Sequence, residues 1–179
     1  RYWRLFHKLD PVIGNCLDLY ADATWSDFQL KGDGVEGKIK EAYEYMCEET
    51  KLLALLPYFV RELLVVGEVA PHAFFDDGKG IWTWIAMHNP DFLEVIDAPF
   101  IRMDPVIRLI PDDRIRRVLM SSDPMLQRVR AQMPPELMSR LVARQNIPLD
   151  PVNVTFIPRK LHPYDVRETS IISRMWRAL

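Results

Sequence analysis

The sequence predicts an α+β protein, helices plus a small antiparallel sheet, and three observations predict it. Apolar residues recur at helical spacing over much of residues 11–65 and again over 112–144. Residues 65–96 change to a two-residue alternation broken by Asp77-Gly78-Lys79-Gly80, the pattern of a β-hairpin. Residues 152–179 run from a short alternating strand through a polar connection into a helix that is still apolar where the sequence stops.

Composition narrows the possibilities. The chain has 179 residues, 49% hydrophobic and 27% charged, which is ordinary for a globular protein. Its net charge of −2 leaves no whole-chain basic footprint for nucleic acid. The longest apolar run, LLALLPYFV, is interrupted by Pro57 and followed by Arg61 and Glu62, so no membrane span is expected. Cys16 and Cys47 both fall on expected helix faces and read as buried thiols of a reducing compartment. The chain starts at Arg1 with core-like Trp3, Leu5 and Phe6 close behind, so both ends are expected to be internal to a longer protein.

In chain order, residues 1–9 read as a short aromatic and basic entry segment. Asp10-Pro11 starts a helix, because Asp caps and Pro is tolerated at the first helical position. Val12, Ile13, Cys16, Leu17, Tyr20 and Ala23 then keep helical spacing. Residues 25–31 read as extended, with Trp25 and Phe28 inward. Gly32, Gly34 and Gly37 mark a turn. GDGVEG is not a phosphate loop on this reading, since it neither follows a clear strand nor enters a βαβ rhythm.

Residues 36–65 read as one or two helices, with Ile39, Tyr43, Met46, Cys47, Thr50, Leu53 and Ala54 as the apolar stripe. Lys40 and Glu44 form an i,i+4 pair, and Pro57 is the expected break or kink. Phe59, Val60, Leu63 and Leu64 point inward in the second half. The hairpin follows, with Trp82 and Trp84 on one face of its second arm and His88-Asn89-Pro90 closing it. Strands are expected at 92–96 and 104–110.

Pro111-Asp112-Asp113, Asp123-Pro124 and Pro134-Pro135 then start three small amphipathic helices. Their inward residues are Ile115, Val118, Leu119, Leu126, Val129, Met133, Leu137, Leu141 and Val142. Arg114, Arg116, Arg117, Arg128, Arg130, Arg140 and Arg144 lie outside, read as solvated or intersubunit pairing rather than direct DNA contact. Residues 146–151 form a linker. Val152, Val154, Phe156 and Ile157 make the last strand, stopped by Pro158, which offers no amide. A helix over 170–179 has Ile171, Ile172, Met175 and Trp176 on one broad face, too large to leave wet. That face is expected to be buried in its own subunit or against a neighbour.

No catalytic constellation emerges. The four histidines lack metal-ligand spacing and the cysteines complete no C-x-x-C site. His72 and His88 read as a cross-strand packed pair. Asp76-Asp77 and Asp112-Asp113 sit at a turn and a helix start, where carboxylates are structural. There is no Gly-x-Ser-x-Gly elbow and no Walker loop. Neither a cofactor nor a metal is expected. In the connection, Tyr164, Asp165 and Arg167 could bond one another and pin the last strand to the last helix. Together with Ile172 and Trp176 they are the candidate stem-anchoring or subunit-contact residues.

Residues 154–176, V-x-F-I-P-R-K-x-H-P-Y-D-x-R-x-T-S-I-I-x-R-x-W, resemble the segment of tailed-bacteriophage portal proteins that follows the wing region and enters the stem helix. Val154, Phe156, Pro158, Arg159, Lys160, Pro163, Tyr164, Asp165, Arg167, Thr169 and Ser170 match that pattern; Glu168 departs from it, standing where the family usually has Gly. A second, shorter line of resemblance runs through Asp10-Pro11, the Gly67-Glu68 pair that opens a strand, the hairpin, and Asn89-Pro90. The resemblance implies that residues 1–160 are a wing-like α+β region and 161–179 the connection and start of a truncated stem helix, in a fragment of a longer chain. It further implies a structural subunit, not an enzyme, of a homo-oligomeric ring, usually a dodecamer, at the capsid vertex of the virion. Double-stranded DNA would pass through its channel during packaging and ejection. Its partners would be the terminase, capsid and scaffold proteins, and neck or tail proteins, with no membrane, after assembly in the host cytoplasm. The alternative from another class is a cytosolic enzyme or regulatory ligand-binding domain, with a pocket between hairpin 65–96 and helices 112–144.

Overall fold

The computed structural model describes residues 2–24, 29–31, 37–96, 106–131, 133–159, 167 and 170–176. The expected extended piece around Trp25 and Phe28 and the turn at Gly32 and Gly34 lie outside the described residues. The fold is α+β, with helices and two antiparallel three-stranded sheets. The chain divides into two compact units, residues 1–88 with 153–179, and residues 89–152.

The first unit begins with α1 (Tyr2–Leu9), a helix where an entry segment was expected. α2 (Pro11–Thr24) starts as the sequence predicts: Asp10 Oδ1 accepts the backbone N–H groups of Val12 and Ile13 at 2.9 and 3.0 Å. Its inward face differs from the expected one. Gly14, Leu17 and Ala21 are buried, whereas Val12 and Tyr20 are exposed, as is Cys16. The phase is set by α1, whose chain crosses so close to α2 that a Cβ on Gly14 would lie 2.5 Å from the His7 carbonyl oxygen. Only glycine allows that approach.

α3 (Gly37–Glu49) and α4 (Leu52–Val65) are separate helices, but the break is at Thr50-Lys51, not at Pro57. Thr50 is buried and its hydroxyl donates to the Met46 carbonyl at 2.8 Å, while Lys51 takes a left-handed conformation with φ 52°. Pro57 sits inside α4, in its second turn, and the helix continues through it. The stripe expected on α3 is largely unburied: Ile39, Tyr43 and Leu53 are exposed and Cys47 is half-buried. The Lys40–Glu44 pair is present at 3.5 Å.

Gly67, at φ 98°, turns the chain from α4 into β1 (Glu68–Asp76). β2 (Ile81–His88) pairs with β1 to form the expected hairpin, closed by Asp76, whose Oδ1 accepts the N–H groups of Gly78 and Lys79. The register shifts between Phe74 and Phe75, so Phe74 faces Trp84 and Phe75 faces Trp82, passing over Thr83. This bulge sets two consecutive phenylalanines against tryptophans two residues apart.

β6 (Ile157–Pro158) completes the sheet in the order β2-β1-β6. Pro158 was expected to stop its strand, yet it pairs with Glu68. The proline is tolerated because β6 is an edge strand. α8 (Ile171–Trp176) then packs with α1, α2 and α4 around Leu17, Val65 and Ile172, with Trp3, Phe6 and Ile13 against them.

The second unit holds a sheet in the order β3-β4-β5, with β3 at Leu93–Ile96, β4 at Val106–Leu109 and β5 at Ile147–Pro148. The strands expected at 92–96 and 104–110 are thus present, except that residues 104–105 lie outside the described set. The expected linker at 146–151 includes β5, because the Leu149 N–H and the pairing of Ile147 with Leu109 tie it to β4. α5 (Asp113–Met120), α6 (Pro124–Ala131) and α7 (Pro135–Val142) start where expected. Asp112 caps α5 by accepting the N–H groups of Arg114 and Ile115. Leu93, Ile107 and Leu141 are buried, whereas Val142, expected inward, is exposed.

Candidate functional site

The C-terminal junction is built around the start of β1. Gly67 leaves its carbonyl to accept the Arg159 N–H at 2.8 Å, which holds the segment after β6 against the α4–β1 turn. The next residue, Glu68, has a side chain only 4% exposed, and its Oε2 lies 2.6 Å from Arg167 Nη2. Arg167 Nε also donates to both carboxylate oxygens at 3.1 Å. A carboxylate so buried needs a paired, hydrogen-bonded cation, and the guanidinium fork matches it. Ser170, fully buried, then starts α8: its Oγ accepts the Ile172 N–H at 3.0 Å and donates to the Leu64 carbonyl at 3.3 Å. Ile172 is fully buried between α2 and α4.

Of the candidate residues, the structure therefore places Arg167 on Glu68 and Ile172 in the helical core. Tyr164 and Asp165 lie outside the described residues, as do Glu168 and the Trp176 side chain. Glu68 was missed as a site residue. Its signal was present in the sequence, as the acidic residue of the Gly-Glu pair that opens β1, but nothing local names a partner so far along the chain.

The hairpin carries a second constellation. His72 Nδ1 and His88 Nε2 are 2.9 Å apart, a diagonal cross-strand hydrogen bond in which one ring donates and the other accepts. His72 stacks on Phe74 with centroids 4.2 Å apart, and Phe74 stacks on Trp84 at 4.9 Å. The expected packed pair is thus one end of an aromatic row along one face. Burial, and then the neighbouring His72, push the His88 pKa below its ordinary value. Burial and the Glu44 charge likewise push the Cys47 thiol up, so it is protonated at neutral pH.

Polar contacts that the sequence did not suggest link α1, α2 and α4. Arg4 pairs with Glu62 at 3.0 Å and His7 with Asp18 at 3.1 Å. Arg61 Nε lies 2.6 Å from Asp18, an ion pair whose angle is off that of a hydrogen bond. These contacts orient helices and align no nucleophile with a base. Among the described residues no group of three or more His, Cys, Asp or Glu could hold a metal. Arg114, Arg117, Arg128, Arg130, Arg140 and Arg144 are exposed, as expected, and Arg130 donates to the Leu119 carbonyl.

Two open cavities are lined within single units. One, of about 630 Å³, lies along α3 and α4 beside Lys40, Glu44, Cys47 and Lys51. The other, of about 390 Å³, is bounded by Arg108, Arg140 and Asn146. No helix among the described residues is long and apolar enough to cross a membrane. No protein-family model, curated protein or solved structure matches the chain.

Proposed function

We propose that this chain is the wing region and the start of the stem helix of a tailed-phage portal subunit, a structural protein of the virion and not an enzyme. One observation carries the reading. The two stretches that resemble portal proteins, Gly67-Glu68 and the one that holds Arg167 and Ser170, lie far apart in sequence and meet at one ion pair whose carboxylate is buried. Arg167 and the helix that starts at Ser170 are thereby tied to β1 and α4 of the wing-like α+β body, as a stem helix that transmits load between wing and channel would need to be. The role is mechanical and electrostatic: a homo-oligomeric ring, a dodecamer on the family's pattern, conducts double-stranded DNA at the capsid vertex. ATP hydrolysis belongs to the terminase that docks on the ring; capsid, scaffold and neck or tail proteins are the other partners.

The test is the solution mass of the full-length protein by light scattering, with negative-stain imaging. Rings of about a dozen subunits with a central hole are expected. A monodisperse monomer or dimer of the full-length chain would overturn the reading.

A further inference from the structure

The second unit brings two arginines to one polar cavity. α7 ends in a left-handed turn, with Arg144 at φ 56°. The Arg144 N–H donates to the Leu141 carbonyl at 3.2 Å, and the Gln145 N–H reaches back to the Arg140 carbonyl at 2.9 Å. The turn folds Gln145 and Asn146 back toward Arg140 and delivers the chain to β5. In the sheet, Glu94 pairs with Arg108 and Arg108 with Pro148, so the three stand in a row on one face of β3, β4 and β5. Turn and sheet together bound the cavity of about 390 Å³, lined by Arg108, Arg140, Gln145, Asn146 and Pro148.

The charges here do not cancel locally. Glu94 Oε2 accepts the Asn146 side-chain N–H at 2.9 Å and lies 3.6 Å from Arg108 Nη1, too far for a hydrogen bond. Arg140 has no ion pair or side-chain hydrogen bond among the described residues, and neither has the Gln145 side chain. No acidic residue is among those that line the cavity. Arg140 therefore shares a concave surface with a second cation, unlike an arginine solvated on a convex helix face. Two guanidinium forks and the Gln145 amide offer more donors than the about four lone-pair sites of a carboxylate can take. A phosphate monoester presents three acceptor oxygens and a charge of about −1.5 to −2 at neutral pH. Small-molecule cavities start at about 300 Å³, so the space suits a phosphate together with a small organic body.

We propose that the cavity formed by α7, its closing turn and the β3-β4-β5 sheet binds the phosphate of a small phosphate monoester of sugar or nucleoside size. Arg108 and Arg140 are its cations and Gln145 its amide donor, while Asn146 keeps the Glu94 carboxylate engaged beside the anion. The site lies within one unit and asks nothing of the ring reading. The same chemical group occurs on free metabolites and at the 5′ end of a nucleic-acid strand, and the test separates the two.

The test is isothermal titration calorimetry on the full-length protein. A nucleoside monophosphate is expected to bind saturably, one per chain and more tightly than inorganic phosphate, while acetate gives no saturable heat. Affinity is expected to fall about tenfold from pH 7.5 to pH 5, as the monoester takes up its second proton at about pH 6. Arg140→Gln is expected to weaken binding at least about tenfold with the melting temperature unchanged, since Arg140 has no side-chain bond within the described residues to lose. Arg140→Lys is expected to restore only part, lacking the fork. Arg128→Gln, the same loss of charge on α6 outside the cavity, is the control and is expected to bind as the native protein does. Competition by a 5′-phosphorylated oligonucleotide, but not by its unphosphorylated form, would assign the phosphate to a strand end; competition by neither would assign it to a free metabolite. No saturable binding of the monophosphate, native affinity in Arg140→Gln, an equal loss in Arg128→Gln, acetate bound as tightly, or competition by the unphosphorylated strand would each overturn the proposal.

Discussion

Arg167 and Glu68 show how much one pair can govern. The Glu68 side chain is almost fully buried while Arg167 is 42% exposed, so the cation reaches in from solvent to a carboxylate that cannot reach out. Arg167→Ala would leave that carboxylate without its guanidinium. The expected loss is about 2–3 kcal/mol, toward the low end for a broken buried pair because half of it is wet. Arg167→Lys would recover only part, since an ammonium lacks the fork. Urea unfolding of both variants checks this; equal stability of Arg167→Ala and the native protein would show that the pair holds nothing.

A second residue-scale expectation concerns pH. The folded-state pKa of His88 is lowered, by burial first and His72 second. The unfolded chain therefore binds a proton more readily than the folded one, so unfolding is favoured as pH falls. The contribution is fully present above the ordinary histidine value of about 6.5 and is lost as pH falls from there through the lowered folded value. The urea midpoint should drop between pH 7.5 and pH 5, and His88→Gln should flatten that part of the profile. A variant with the native slope would assign the drop to other groups.

At the scale of elements, backbone geometry decides where helices stop and how closely they cross. Gly14→Ala would push a Cβ to 2.5 Å from the His7 carbonyl oxygen, a backbone atom that can move only with α1. The expected cost is about 1–3 kcal/mol, read as a lower melting temperature. Lys51 holds φ 52° at the junction of α3 and α4, a conformation that disfavours side chains. Lys51→Gly should therefore stabilise, by about 0.5–1 kcal/mol net of the glycine's extra unfolded-state freedom. A destabilised variant would show that the Lys51 side chain contributes more than its conformation costs.

At the scale of the whole molecule, the helical core of the first unit depends on its last element. Ile172 of α8 fills the space between Leu17 of α2 and Val65 of α4. Ile172→Ala would leave a cavity there and cost about 2–4 kcal/mol in unfolding free energy. If α8 begins a stem helix, that loss should also lower ring yield in the full-length protein, whereas a peripheral helix would cost stability alone. Ring yield and unfolding measured on the same variant separate the two.

Local chemistry was legible from residues alone. Asp10 and Asp112 announced helix starts because a short acceptor placed before an apolar period has few other uses, and both cap as read. Asp77 to Gly80 announced the hairpin turn for the same kind of reason, and the alternating arms fell on β1 and β2. What failed to show was whatever a distant segment imposed. The inward face of α2 is phased by the crossing of α1 at Gly14, and the break before α4 falls at Thr50-Lys51 although Pro57 is the stronger local signal. Pro158 joins a sheet because its strand happens to be the edge. Glu68 looked like an ordinary strand-opening carboxylate until Arg167 closed over it. The sequence by itself determined the fold class, the hairpin turn and the cap positions, because these depend on φ/ψ preferences and short-range hydrogen bonds. Only the tertiary structure decided the Glu68–Arg167 pair, the phase of the helices and the outer place of β2 in its sheet, because burial and pairing are properties of what two distant segments do to each other's access to water.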